Sequence, residues 1–149
     1  MFTTATMKKY PGLDCILLVD DDPPTNFIHQ KIIQTTDVDA HVHACESGKS
    51  ALAYLNGQAP FHDDVECPKP GIIFLDINMP GMDGWEFLEQ YERLPEEKKQ
   101  RVVVAMLTTS VNPADKILAE NNSNVYSYFS KPLRRDYINQ LVREKFSLG

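Results

Sequence analysis

Carboxylates, a hydroxyl and a lysine follow segments of this chain that are typical of β-strands. They are Asp20 and Asp21 after residues 16–19, Asp76 after 72–75, Thr108 after 102–107, and Lys131 after 126–130. Crowded carboxylates raise each other's pKa, and a divalent cation such as Mg²⁺, which prefers oxygen ligands, relieves that repulsion. A carboxylate beside such an ion can attack phosphorus, while a hydroxyl and an ammonium neutralise the phosphoryl charge. The residue types therefore indicate phosphoryl chemistry assisted by Mg²⁺.

Strands alternate with helices along the chain, which predicts a parallel sheet covered by helices on both faces. The predicted strands are 16–19, 38–45, 72–75, 102–107 and 126–130, and the five predicted helices begin near residues 23, 47, 85, 113 and 137. The first, third and fourth strands are uniformly apolar and are expected in the centre, whereas the second and fifth are mixed and are expected at the edges. Right-handed crossovers then favour the strand order 2-1-3-4-5. In that order, the switch point lies between Asp20-Asp21 and Asp76.

Apolar residues at helical spacing mark the expected inward faces of the helices. They are Phe27, Ile28 and Ile32 in the first helix, and Ile117 and Leu118 in the helix at 113–120. Asp22 before Pro23, and Asp83 before Gly84, are interpreted as helix N-caps rather than as ligands. The charged run 96–101 is expected to be a solvated connection.

Length and composition exclude several classes of protein. The chain has 149 residues, which suits one domain, and a net charge of −6, which argues against nucleic-acid binding. No apolar run approaches the ~20 residues of a membrane span, and residues 1–12 look like a short tail rather than a secretory signal. Cys15, Cys45 and Cys67 form no pair of metal-binding spacing. A cytoplasmic protein without membrane or nucleic-acid contact is therefore expected.

Four motifs together resemble the signatures of response-regulator receiver domains of bacterial two-component systems. They are Val19-Asp20-Asp21-Asp22-Pro23, Asp76-Ile77-Asn78-Met79-Pro80-Gly81-Met82-Asp83-Gly84, Leu107-Thr108-Thr109-Ser110, and Tyr128-Phe129-Ser130-Lys131-Pro132. The resemblance spans about residues 14–146, so residues 13–149 are assigned to a receiver domain after the tail at 1–12. It implies an α/β flavodoxin-like fold. Because no helix-turn-helix follows, it also implies a stand-alone receiver whose output is protein contact or phosphate relay.

The resemblance assigns a role to each matching residue. Asp76 resembles the phosphoacceptor, Asp20 and Asp21 the Mg²⁺ pair with Asp21 the more direct ligand, and Asn78 the residue whose backbone carbonyl completes the metal site. Thr108 resembles the switch hydroxyl, Lys131 the phosphate partner, and Tyr128 the aromatic switch. The bond between Lys131 and Pro132 is a candidate cis peptide. The implied partners are a sensor histidine kinase or a histidine phosphotransfer protein, and a downstream protein that the sequence does not identify.

Two other functions compete with a receiver that catalyses only its own phosphorylation and autodephosphorylation. A phosphatase of the haloacid dehalogenase type also uses an Asp nucleophile and Mg²⁺, but its Asp-x-Asp-x-Thr motif is not matched, because Thr25 lies one residue too late after Asp20-x-Asp22. A constitutive adaptor, which binds its partner regardless of phosphorylation, is the other alternative. The sequence leaves it open.

Overall fold

The structure, a computed structural model, describes residues 6–57 and 68–147. Within them the elements are β1 (Cys15–Val19), α1 (Pro23–Gln34), β2 (His41–Cys45), α2 (Gly48–Leu55), β3 (Ile72–Leu75), α3 (Gly84–Glu92), α4 (Glu96–Lys99), β4 (Val103–Thr108), α5 (Pro113–Glu120), β5 (Val125–Ser130) and α6 (Arg135–Lys145). Most of the loop at 57–71, including Cys67, lies outside the described residues.

The five strands form one parallel sheet in the order β2-β1-β3-β4-β5, which confirms the predicted order and the flavodoxin-like class. Every residue of β1, β3 and β4 is buried, whereas β2 and β5 are partly exposed. Val19 pairs with Leu75, and Leu75 pairs with Met106. The three central strands therefore end at the same edge of the sheet.

Helices cover both faces of the sheet, and each face has its own hydrophobic core. On one face, α2, α3 and α5 contribute Tyr54, Phe87 and Ala119. On the other face, α1 and α6 contribute Ile33 and Ile138. Because both faces are covered, the polar ends of the strands are the part of the sheet that is open to chemistry.

The first helix buries only part of the face that its apolar residues predicted. Phe27 and Ile28 are 59% and 54% exposed, while Asn26, His29 and Ile33 are buried. Each of the two buried polar side chains makes a hydrogen bond to a backbone group of another segment, which offsets part of the cost of burial, while Asn26 Oδ1 is buried without a hydrogen-bond partner among the described residues. Ile32, the third residue of the predicted face, packs partly buried against the core, so hydrophobicity alone gave the inward face of α1 only in part.

The helix α5 departs from prediction in the same way. Ile117 and Leu118 are 56% and 51% exposed, and Ala119 is the buried residue. The indole N–H of Trp85 in α3 donates to Asp115, which turns the Asp115 side of α5 toward α3. Ala119 lies on that side because it is four residues further along the helix.

Local signals at the helix ends behaved as the sequence predicted, with one addition. Asp22 caps α1 through the N–H of Thr25, and Asp83 forms a capping box with Glu86 at α3. The charged run 96–101 was expected to be a simple connection but contains the one-turn helix α4. Its acidic start and basic end suit the helix dipole, which offsets its poor burial.

The described part of the N-terminal tail contacts the segment before β2. The N–H of Lys8 donates to Asp37 O at 2.6 Å, and the N–H of Asp39 donates to Lys8 O at 2.9 Å. Leu13 is fully buried. A domain boundary at residue 12 stays a prediction. Among the described residues, no helix combines the length and apolar character that crossing a bilayer requires.

Candidate functional site

Backbone hydrogen bonds fix the residues that follow the strands. Asp20 N–H donates to Cys45 O and Asp76 N–H to Val19 O, each at 3.0 Å. Lys131 N–H donates to Thr108 O at 2.8 Å. These bonds continue the parallel pairing beyond the last residue of a strand, so the side chains start from rigid backbone at one sheet edge.

Three carboxylates meet at that edge. Oxygen atoms of Asp20, Asp21 and Asp76 all lie within 4.8 Å of one another. Asp20 and Asp76 are buried, whereas Asp21 is exposed. One oxygen of Asp20 accepts the N–H of Asp22 at 2.9 Å. An all-oxygen cluster of two or three carboxylates, open on the Asp21 side, has the donor set of a hard divalent cation.

Lys131 brings a positive charge to the two buried carboxylates. Its ammonium forms a short ion pair with Asp20 and lies 3.4 Å from Asp76 Oδ2. Burial alone would lower the pKa of Lys131, but the hydrogen bond to Asp20 and the charges of both acids raise it. Lys131 is therefore a cation in this site. The bond between Lys131 and Pro132, a candidate cis peptide from the sequence, is cis.

Asp76 is the acid whose ionisation the surroundings disfavour. Burial raises the pKa of its carboxyl group, and the charge of Asp20 adds to that effect, while Lys131 opposes it. When the negative charge of a buried carboxylate is only partly neutralised by its neighbours, a nearby cation stabilises the ionised form strongly. Asp76 is therefore the buried acid of the cluster whose charge a bound cation would stabilise; its role as phosphoacceptor stays a prediction.

The remaining predicted site residues surround this cluster. Thr108 is 1% exposed, and its Oγ1 accepts the N–H of Ser110 at 3.1 Å. Asn78 is exposed in the β3–α3 connection, two residues after Asp76. Tyr128 pairs with Met106 in the β4–β5 register and packs partly buried against the core that contains Phe87. Their assigned roles stay predictions.

A side-chain relay connects the end of β4 to α3, and the sequence gave little sign of it. Ser110 Oγ donates to Asp115 Oδ2 at 2.6 Å, and Trp85 Nε1 donates to Asp115 Oδ1 at 3.2 Å. The signals available were an Asp in the first turn of one helix and a Trp at the start of another, which specify no pairing across about 30 residues of chain.

The buried polar residues of α1 were also missed. Asn26 Nδ2 donates to Asp20 O at 2.9 Å, and His29 Nε2 accepts the N–H of Leu133 at 3.3 Å. Both residues contact segments that carry site residues. The sequence signal was an Asn and a His three residues apart, which places both on one side of the helix.

A parallel flavodoxin-like sheet, with acids at the switch point and a lysine at the end of the last strand, defines a receiver-type site. The sequence model described as "Response regulator receiver domain" matches residues 16–143, and the chain belongs to this family. The family match supports the receiver interpretation over the phosphatase alternative.

Individual relatives agree with this assignment. The chain is 33% identical over 116 residues to response regulator Rcp1 of Synechocystis sp., covering 78% of this chain and 75% of Rcp1. A two-component response regulator from Cytophaga hutchinsonii has a similar crystal structure, with a TM-score of 0.76 and 34% identity over 89% of this chain and 96% of that one. The Mn²⁺-bound form of Rcp1 gives a TM-score of 0.67 at 29% identity, over 88% and 90% of the two chains.

Proposed function

We propose that this protein is a phosphorylatable signalling receiver that accepts a phosphoryl group on Asp76 from a phosphohistidine. The donor is a sensor histidine kinase or a histidine phosphotransfer protein. The observation that carries the proposal is the meeting of three carboxylates and one lysine at the edge where Asp76 ends a buried strand. Beyond its own phosphorylation and autodephosphorylation, no catalytic activity is proposed.

The transfer moves one phosphoryl group between two proteins. An oxygen of Asp76 attacks phosphorus while the P–N bond to the donor histidine breaks, and the bond's electron pair stays with the imidazole. The negative charge of the phosphoryl oxygens must be neutralised during transfer. Lys131, 3.4 Å from Asp76, supplies one positive charge without a large movement.

A divalent cation supplies the rest of the positive charge, and Mg²⁺ is the ion proposed for this chain. Asp20, Asp21 and Asp76 would hold it, together with the backbone carbonyl of Asn78. Lys131 and the Asp22 N–H already engage both oxygens of Asp20. The exposed Asp21 is therefore the acid freer to approach the ion, which supports its role as the more direct ligand.

Output is proposed to pass through the surface formed by α5, β5 and α6. The buried Thr108 hydroxyl turns toward the new phosphoryl group and Tyr128 follows, which changes that surface in a two-state manner. A downstream protein reads the change, or the phosphate passes on in a relay. The exposed Ile117, Leu118 and Tyr126 give this surface apolar area for a partner.

Acetyl phosphate with Mg²⁺ tests the proposal directly. The wild-type protein is expected to gain one base-labile, hydroxylamine-sensitive phosphoryl group by intact-protein mass spectrometry, and EDTA is expected to abolish the gain. Asp76→Asn is expected to gain none. Asp83→Asn is the matched control, because this capping acid lies in the same loop but outside the carboxylate cluster. Absence of phosphate on the wild-type protein would refute the proposal.

Beryllofluoride, which mimics the phosphoryl group, separates a switch from a constitutive adaptor. If the protein is a switch, its affinity for the downstream protein differs with and without beryllofluoride. Equal affinities, with Asp76 still phosphorylated, would instead support the adaptor alternative.

A further inference from the structure

The buried side of α1 includes two polar side chains beside Ile33, although the helix also has apolar residues that stay exposed. Asn26 and His29 are 4% and 3% exposed, while Phe27 and Ile28 between them face outward. Burying an amide and an imidazole is unfavourable unless they are hydrogen-bonded. The hydrogen bonds that these side chains make therefore offset part of the cost of their burial.

Each of these side chains is bonded to the backbone beside a charged site residue. Asn26 Nδ2 donates to the carbonyl of Asp20 at 2.9 Å. His29 Nε2 accepts the N–H of Leu133 at 3.3 Å, two residues after Lys131. One helix thus holds both the acid end of β1 and the segment that follows β5.

The Leu133 N–H has few hydrogen-bond acceptors that could replace His29. Leu133 is 2% exposed, so its N–H would be buried without a partner if the imidazole were removed. At the other end of the same short segment, Lys131 N–H is bonded to Thr108 O at 2.8 Å. The segment from Lys131 to Leu133 is therefore fixed to β4 at one end and to α1 at the other.

The imidazole must be neutral to accept this bond, with its proton on Nδ1. Burial lowers the pKa of His29, the charge of Lys131 lowers it further, and Asp20 opposes them. Burial and the charge of Lys131 thus favour the neutral imidazole that the hydrogen bond needs.

We propose that His29 is a positioning residue for Lys131. By holding the Leu133 N–H, it fixes the segment that carries Lys131, so that the ammonium stays between Asp20 and Asp76 and meets the incoming phosphoryl group there. This inference deepens the proposed function and rests on it for the effect on phosphorylation. The effect on the position of Lys131 is independent of it.

Three substitutions at one position separate the hydrogen bond from packing. His29→Leu removes the acceptor at similar volume, and His29→Asn keeps a polar group too short to reach Leu133. His29→Gln places an amide oxygen near the position of Nε2 and restores an acceptor. Ile33→Ala is the matched control, since it truncates a buried residue of the same helix outside this contact.

Two quantities are measured without metal or phosphate. They are the exchange rate of the Leu133 amide proton and the position of the ¹⁵N resonance of the Lys131 ammonium. His29→Leu and His29→Asn are expected to speed Leu133 exchange by about tenfold relative to the global exchange rate and to shift the Lys131 resonance, in line with the loss of one hydrogen bond. His29→Gln is expected to keep both near wild type. Ile33→Ala is expected to change neither after correction for stability.

The initial rate of phosphorylation by acetyl phosphate with Mg²⁺ is the functional measurement. His29→Leu and His29→Asn are expected to lower it by about tenfold, because sub-ångström misplacement of a catalytic group is costly. His29→Gln is expected to restore it to within about threefold, as an acceptor of similar reach should. If His29→Gln is as slow as His29→Asn, or if Ile33→Ala is equally slow, the positioning role is wrong.

The two proposals fail separately. Absence of phosphorylation in the wild-type protein would refute the proposed function. The exchange rate of the Leu133 amide and the Lys131 resonance would still test the role of His29 in that case. An unchanged Lys131 resonance in His29→Asn, with wild-type phosphorylation intact, refutes the positioning role alone. Should His29→Leu fail to fold, the comparison of His29→Asn with His29→Gln decides the question.

Discussion

Gly84, the first residue of α3, packs directly on the backbone of the proposed phosphoacceptor. Its N–H donates to Ile77 O at 2.7 Å. A Cβ added to Gly84 would lie 2.6 Å from the carbonyl oxygen of Asp76 and 2.9 Å from Cα of Ile77. Gly84 does not have a positive φ, so alanine is conformationally acceptable there. Gly84→Ala therefore tests close packing alone.

The size of the effect follows from the contact distances. Because a Cβ does not approach within 3.0 Å of such an atom, the start of α3 and the Asp76 peptide must separate by at least about 0.4 Å. Overpacking against backbone costs about 1–3 kcal/mol, and alanine returns less than about 1 kcal/mol through its helix propensity. We expect a net loss of about 2 kcal/mol in the free energy of unfolding and a melting temperature lower by about 6 °C.

Phosphorylation of Asp76 should slow as well, since its carboxylate moves with the displaced peptide. A shift of this size is expected to lower the rate with acetyl phosphate and Mg²⁺ by about fivefold to tenfold, given that 1 Å can cost 10²-fold. Thermal unfolding and the initial rate of phosphorylation measure the two effects on the same preparation.

Gly48 provides the matched control. It is also a buried glycine at the first position of a helix, after the capping Ser47, but an added Cβ meets the Sδ and Cγ atoms of Met82 at 2.7 and 3.1 Å. The end of a methionine side chain can rotate away, so Gly48→Ala is expected to cost less than about 1 kcal/mol and to leave the rate unchanged. Equal effects of the two substitutions on stability and rate would refute the reasoning.

Two further predictions concern charge and the relay to α3. Asp76→Asn should raise the melting temperature at neutral pH without metal. Burial raises the pKa of Asp76 above its value in the unfolded chain. The wild-type protein should therefore gain stability relative to the Asn variant as the pH falls through that raised pKa. A stability difference between the two proteins that stays constant across the titration would contradict this. Trp85, the single tryptophan, should change its fluorescence when beryllofluoride binds. Movement of Thr108 would free the Ser110 N–H and disturb the hydrogen bond from Ser110 to Asp115, and Asp115 accepts the indole N–H of Trp85. Ser110→Ala should shift the emission before any beryllofluoride is added and reduce the later change; an unchanged wild-type emission would show that the relay does not respond.

The order of the strands and the place of the acids could be predicted because both depend on local patterns. Uniformly apolar runs identified the central strands, and a parallel sheet brings the residues after Val19 and Leu75 to one edge. The caps at Asp22 and Asp83 were equally predictable, since a cap satisfies N–H groups only three residues away.

The sequence alone thus determined the fold class, the family and the acids that meet at the sheet edge. Only the tertiary structure decided which sides of α1 and α5 face inward, and that Lys131 bridges Asp20 and Asp76. These features depend on partners far away in the chain, such as the Leu133 N–H for His29, which is 104 residues distant. Hydrophobic periodicity reports only the average preference of a side chain for burial. It carries no information about a distant backbone group whose hydrogen bond makes the burial of a polar side chain favourable.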